Sequence, residues 1–343
     1  MTPTWAEYYE LSKLVYEQQN KNFDLENKKT DLYDLGFELS RPGEDDNYLD
    51  LSDQNYLKII DSLSRKVNKA LDDPGNCEDR GVGHLIRDAW KHNLLDELTA
   101  FGNLIAPQLE KYLFGSYVHF DNVRLYRSVV TNIEPVSSWK WHFDNNPKEQ
   151  IRILVYLNDV LEDGDGQFEY FYDPNKNIVP KIESTRVDYK NFQLDGKKEE
   201  RNLEIRGDYD ITQRYVLGDR LTNDFMEKCK NAGMIEKKVF GKKGTILLFD
   251  NNTIHRATIA KNKPRTAMVI SIKPSTSKII PPINPITTNN GWQGTTFNVD
   301  PSILNAMSRH IPNNKIEAQL KSVRSKLDPW YGTVINLTDH LNR

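Results

Sequence analysis

The sequence predicts a mainly β core, an antiparallel sandwich or barrel, with a helical N-terminal part packed against it. Two textures carry that expectation. From about residue 116 the chain runs through β-branched and aromatic segments separated by turn residues: "SYVHFDNVRLYRSVV", "IRILVYLNDV" and "QFEYFYD", then "GTILLFD" (244–250) and "RTAMVISIKP" (265–274). No helical pattern alternates with these strands, which argues against a parallel βαβ sheet. Before residue 115, by contrast, apolar residues recur at helical spacing.

Taken in order, residues 4–19 read as a helix, with Pro3 at its start and Trp5, Tyr8, Leu11, Leu14 and Val15 on one side. The stretch "RPGEDDNYLDLSD" (41–53) is an acidic, turn-rich, solvated connection. A second helix is expected over 52–71, with Leu57, Ile60, Leu63, Val67 and Leu71 forming its apolar face. Residues 81–114 read as two more helices; Gly81 and Gly83 follow no strand, so they do not make a dinucleotide loop. Asp163-Gly164-Asp165-Gly166 suits a hairpin turn between the second and third strands. Residues 173–240 are polar and long for a connection, the kind of insertion that serves function. The segment from 275 is at first Pro/Asn-rich and is expected to end in helices near 301–310 and 314–327.

Bulk properties narrow the function classes. A net charge of -3 gives no general attraction to nucleic acid or to an anionic membrane. The 35 aromatic residues (16 Tyr, 13 Phe, 6 Trp) promise a substantial core. Cys77 and Cys229 are expected as free thiols in a reducing compartment. No signal-like or membrane-length apolar run is seen, so a cytoplasmic location with no membrane partner is expected.

Chemistry concentrates in "WKWHFDNN" (139–146). On an extended strand His142 and Asp144 point the same way, because strand side chains alternate faces. His-x-Asp alone is equally compatible with a hydrogen-bonded pair at a strand end. His255 follows a buried strand, and Arg265 opens the next apolar strand ten residues later. Two imidazoles and one carboxylate hold one face of a six-coordinate ferrous ion, leaving the other positions open. Zinc accepts the same set. Arg265 favours iron with a dicarboxylate, which a fixed guanidinium can grip bidentately. Trp139 and Trp141 are expected to share a face opposite His142, as core or as cavity wall. Asn145, Asn146 and Arg152 suit either the pocket mouth or solvated surface.

Over roughly 115–275 these features resemble the Fe(II)/2-oxoglutarate-dependent oxygenases, and within them the phytanoyl-CoA dioxygenase-like branch. The resemblance rests on "HFD" (142–144), "VYLNDVLEDGDGQFEYF" (155–171) and "GKKGTILLFDNNTIHRATIAKNKPRTAMV" (241–269). It implies a double-stranded β-helix, the cupin-like jelly roll with flanking helices. It also implies one oxygenase domain over 1–343: a helical part to 114, a core over 115–275 with the insertion 173–240, and a C-terminal extension from 276. Fe(II) on His142, Asp144 and His255, with 2-oxoglutarate and O2 as cosubstrates, follows from the same likeness. Arg265 would then pair with the 5-carboxylate of 2-oxoglutarate. Ala267 stands where many members place a second, hydroxyl anchor, so Tyr126 and Arg124 become candidates for that role. The implied reaction hydroxylates an unactivated C–H bond of a small organic or amino-acid-like molecule, with succinate and CO2 as coproducts. The carboxylate at Asp144 argues against halogenation, and Ser271 stands where nucleic-acid-dealkylating relatives carry a second arginine. Two alternatives stay open: a zinc-dependent hydrolase, and a non-enzymatic jelly-roll binding protein with a vestigial metal site.

Overall fold

The computed structural model describes residues 5–20, 30, 32–45, 47–86, 89–144, 151–174, 178–184, 200–207, 212–216, 221–250, 253–275 and 278. Seven strands form one antiparallel sheet in the order β1 (Phe37–Ser40), β11 (Ile246–Asp250), β5 (Ile151–Tyr156), β13 (Arg265–Ser275), β4 (Tyr117–Ser128), β3 (Gly83–Ile86) and β2 (Glu78–Asp79). A smaller antiparallel sheet contains β10 (Ile235–Val239), β6 (Phe168–Tyr172) and β12 (His255–Ala257), and the bridge between His142 and His255 extends it by one segment. From β4 onward the chain winds back and forth between the two sheets, so the core is a double-stranded β-helix.

Period-2 alternation sorts the side chains into three layers. Residues from both sheets meet in one cluster that includes Leu154, Tyr156, Phe168, Tyr170, Leu247 and Phe249, and this fills the barrel. The opposite side of the large sheet, with Leu125, Ile153, Val155, Leu248, Met268 and Ile270, packs on α3 (Gln54–Leu71) and α4 (Leu95–Leu109). The outer face of the small sheet presents Phe171 and Ile254, with Trp141 and Phe143 of the bridging segment beside them. That layer is closed by Phe225, Met226 and Cys229 of α5 (Asn223–Asn231). The Thr222 hydroxyl caps α5 by accepting from the Phe225 N–H at 3.2 Å.

Several expectations need correction. The helix expected from residue 81 is instead strand β3 followed by a 3-10 turn, Ala89–His92. Gly83 explains the difference, because a Cβ there would sit 2.6 Å from the Trp139 indole and 2.5 Å from the Arg127 carbonyl oxygen. Only a strand with no side chain at that point fits beside β4. On α3, Leu57 is 45% exposed, and Tyr56 takes the buried place with its hydroxyl donating to the Gly244 carbonyl at 2.5 Å. Asp163–Gly166 does turn the chain, but β5 and β6 do not pair: the turn carries the chain from one sheet to the other. Within 173–240 the chain forms a three-stranded sheet of β7 (Ile178–Ser184), β8 (Glu200–Gly207) and β9 (Thr212–Val216), followed by α5 and by β10, which pairs with β6. The helices expected near 301–310 and 314–327 lie outside the described residues. Among the described residues no helix is long and apolar enough to cross a membrane.

One buried acid makes stability depend on pH. Helix α4 ends in a π-helical turn, Glu110–Phe114, and the Glu110 carboxyl accepts from the Val118 N–H at 3.3 Å. Burial pushes its pKa from 4.5 up to about 7, against smaller opposing pulls from that hydrogen bond and from Lys278. Tyr16 of α1 (Trp5–Gln19) lies near it, as the upward pull of Glu110 on the Tyr16 phenol indicates. Between those two pH values the folded chain binds a proton that the unfolded chain has released, so stability is lost as pH rises. Thermal midpoints should therefore fall from about pH 5 to about pH 8, and Glu110→Gln should flatten that slope. An unchanged slope in the variant would remove Glu110 as its source.

Candidate metal centre

His142 and His255 are direct cross-strand partners. The His142 N–H donates to the His255 carbonyl at 3.0 Å, and the His255 N–H donates back at 2.9 Å. Directly opposed residues project side by side from one face of a sheet, and here the ring centroids are 4.3 Å apart. Each Nδ1 is tied to a backbone carbonyl two residues earlier: His142 to Lys140 at 2.9 Å and His255 to Thr253 at 2.7 Å. A carbonyl oxygen only accepts, so both Nδ1 atoms carry a proton, and each ring in its neutral form presents its lone pair at Nε2. Phe168, 22° off parallel, stacks on His255 at 5.4 Å, and Phe249 meets it edge-on at 5.2 Å, fixing the ring.

Asp144 completes the group. Its Oδ1 is 3.8 Å from His142 Nε2, and ligand atoms of His142, Asp144 and His255 all lie within 4.8 Å of one another. Burial would raise the Asp144 pKa, but Arg152, His255, His142 and Arg124 outweigh it and hold the carboxylate well below the usual range. These three residues can hold a metal ion. Two imidazoles and a carboxylate held ionised are the right donors for a divalent transition metal.

Arg265 opens β13, six residues before Ser271, the strand partner of the Arg152 that contacts Asp144. It is 2% exposed, and its Nη2 donates to the Ser128 hydroxyl at 3.2 Å. Nε and Nη1 are buried without an aligned hydrogen-bond partner, although the Tyr156 hydroxyl stands close enough to interact with the guanidinium. Desolvation pulls its pKa below the ordinary value, against the opposing influence of the Tyr156 and Tyr126 phenols. Buried charges are normally paired and hydrogen-bonded. This one has two donors available for a further hydrogen-bond acceptor. Gly166 makes room for it, since a Cβ there would stand 3.2 Å from the Arg265 Cβ.

The register places the remaining candidates. Along β4, Arg124 is opposite Val269, Tyr126 is opposite Ala267 and Ser128 is opposite Arg265, so all three share the interior face. Tyr126 lies by Arg265 and Arg124 by Asp144, as their influence on those two groups shows. Thr266 faces the other way, its hydroxyl donating to Asn68 Oδ1 at 3.0 Å on α3. The two tryptophans do not share a face. Trp139 sits in a 3-10 turn (Ser137–Trp139), with its Nε1 donating to the Ser128 hydroxyl at 3.2 Å, so it steadies the same oxygen that Arg265 uses. Trp141 packs outside the barrel, edge-on to Phe171 at 4.9 Å and under the Arg256 guanidinium at 4.2 Å. Asn145 and Asn146 lie outside the described residues. Arg152 is not on a solvated surface: its Nη2 is 2.8 Å from Asp144 Oδ2.

No protein-family model matches the chain, and no curated protein matches it. Solved structures do resemble it. HygX from Streptomyces hygroscopicus, with nickel, 2-oxoglutarate and hygromycin B bound, is 12% identical at a TM-score of 0.40, over 72% of this chain and 86% of that one. The non-heme alpha-ketoglutarate-dependent epimerase SnoN from nogalamycin biosynthesis is 12% identical at a TM-score of 0.44, over 71% and 80%. EctD from S. alaskensis, with 2-oxoglutarate and 5-hydroxyectoine, is 11% identical at a TM-score of 0.44, over 74% and 80%.

Proposed function

We propose that this protein is an Fe(II)- and 2-oxoglutarate-dependent oxygenase that hydroxylates a C–H bond of a small organic or amino-acid-like substrate. One observation carries the reading: a two-histidine, one-carboxylate cluster shares a barrel interior with a buried arginine whose Nε and Nη1 have no aligned hydrogen-bond partner. A hydrolytic zinc site would leave those two donors without a purpose.

In this reading His142, Asp144 and His255 hold the iron, and Arg265 grips the distal carboxylate of 2-oxoglutarate. Bound iron, 2-oxoglutarate and O2 together supply the oxidation, giving succinate, CO2 and a hydroxylated product. The chain's own residues supply placement. The Lys140 and Thr253 carbonyls fix both imidazole tautomers, so both Nε2 atoms are presented without reorganisation. Ser128, steadied by Trp139, orients the guanidinium. Tyr126 and Arg124 flank the space between arginine and metal ligands as further anchors for the cosubstrate. Phe168, Tyr170 and Phe249 exclude water from one side, which strengthens every charge interaction inside. Nothing in these tasks calls for a nucleic-acid or membrane partner.

The test is twofold. Anaerobic addition of 2-oxoglutarate to the Fe(II)-loaded protein should produce a weak visible absorption band. Under O2, pools of amino acids and small metabolites should then stimulate succinate formation. A protein giving neither band nor succinate would not be such an enzyme.

A further inference from the structure

Arg152 stands on β5 with Phe249 on one side and Ser271 on the other, on the face that also carries Leu154 and Tyr156. Its Nη2 touches Asp144 Oδ2 at 2.8 Å, an ionic contact without hydrogen-bond alignment, and its Nε is buried with no partner. Its side chain is 14% exposed. Oδ1, the other carboxylate oxygen, is the one near His142 Nε2. The two oxygens of Asp144 therefore face different groups.

Building on the metal-centre reading, we propose that Arg152 is a positioning residue that makes Asp144 a one-oxygen ligand. A carboxylate can bind a metal through one oxygen or through both. Bound through both, it would occupy two of six octahedral positions and, with two imidazoles, leave two open. Held at Oδ2 by the Arg152 guanidinium, it occupies one and leaves three. Two-point chelation by a 2-oxo acid uses two of those, so only the three-position face keeps one for a further ligand. Arg152 thus sets how many positions the protein leaves free, without itself touching the ion.

Mn(II) is the probe. Wild-type protein, Arg152→Met and Arg152→Lys would each be loaded with Mn(II), and coordinated water counted from line broadening in oxygen-17-enriched water. Mn(II) affinity would be measured on the same samples, with thermal melts confirming the fold. Arg152→Met should lose one coordinated water relative to wild type and bind Mn(II) roughly 10- to 100-fold more weakly, the usual cost of losing an outer-shell partner. Arg152→Lys, which keeps a cation, should recover most of both. An unchanged water count and unchanged affinity in Arg152→Met would overturn the proposal. If folded Arg152→Met binds no Mn(II), rescue by Arg152→Lys supports it and failure of that rescue overturns it. Should Arg152→Met not fold, Arg152→Lys decides alone: a wild-type water count and affinity support the role, and loss of both overturns it. Wild-type protein that binds no Mn(II) would instead remove the metal-centre reading on which the proposal rests.

Discussion

Alanine at His142 or at His255 is expected to abolish divalent-metal binding at working concentrations, and turnover with it. Each change removes one of three ligand side chains, a larger loss than the roughly 10- to 100-fold that outer-shell partners contribute. Because the two histidines are joined by reciprocal backbone hydrogen bonds, which alanine keeps, the bridge between the segments should survive. Melting temperatures of the metal-free variants should therefore stay close to wild type. Asp144→Ala should behave differently. It removes the one carboxylate of the cluster and also strands Arg152; the pair is only partly buried, so the cost lies below the about 3–5 kcal/mol of breaking a fully buried one. Loss of metal binding should come with a measurable fall in stability for that variant alone. Isothermal titration with Fe(II) or Mn(II) under argon, next to thermal melts, separates the two effects. Wild-type affinity in both histidine variants would mean that these residues are not the ligands.

The core strands were legible because β-branched and aromatic runs are set off by turn residues. His142 and Asp144 were legible as candidates because residues two apart on an extended segment project to one side, whereas His255 stood out only by its place after a buried strand and ten residues before Arg265. What could not be read was pairing across the chain. Arg152 looked like a surface residue because nothing nearby in sequence says that β5 lies beside Ser271 and faces Asp144. Ser128 is an unremarkable strand residue until the register sets it opposite Arg265. Strand β3 was hidden by a helical pattern in the segment that follows it, and tertiary packing of Gly83 against Trp139 overrode that pattern. The signal for Arg152 did exist in part: a cation inside an otherwise apolar run, "IRILVY", asks for a buried anion just as Arg265 does.

Arg265→Ala carries the other large effect. The guanidinium is buried with two donors lacking an aligned partner, and its contacts are to the Ser128 and Tyr156 hydroxyls. Its removal should therefore leave apo stability little changed, because the cavity it opens is offset by the buried charge it eliminates. The cost should appear when cosubstrate is added. If the distal carboxylate of 2-oxoglutarate is the missing partner, truncating that buried pair should weaken 2-oxoglutarate binding by about 3–5 kcal/mol, or roughly two to four decades. Fe(II) affinity should change little, since Arg265 is not one of the three clustered donor residues. A 2-oxo acid without the distal carboxylate serves as the internal control. It never engages the guanidinium, so its weaker binding should be nearly the same in wild type and variant. Calorimetry with both acids, on protein loaded with Fe(II) under argon, gives the comparison directly. A variant that keeps wild-type 2-oxoglutarate affinity would show that the orphaned donors serve some other anion, and a dicarboxylate cosubstrate would lose its main physical support.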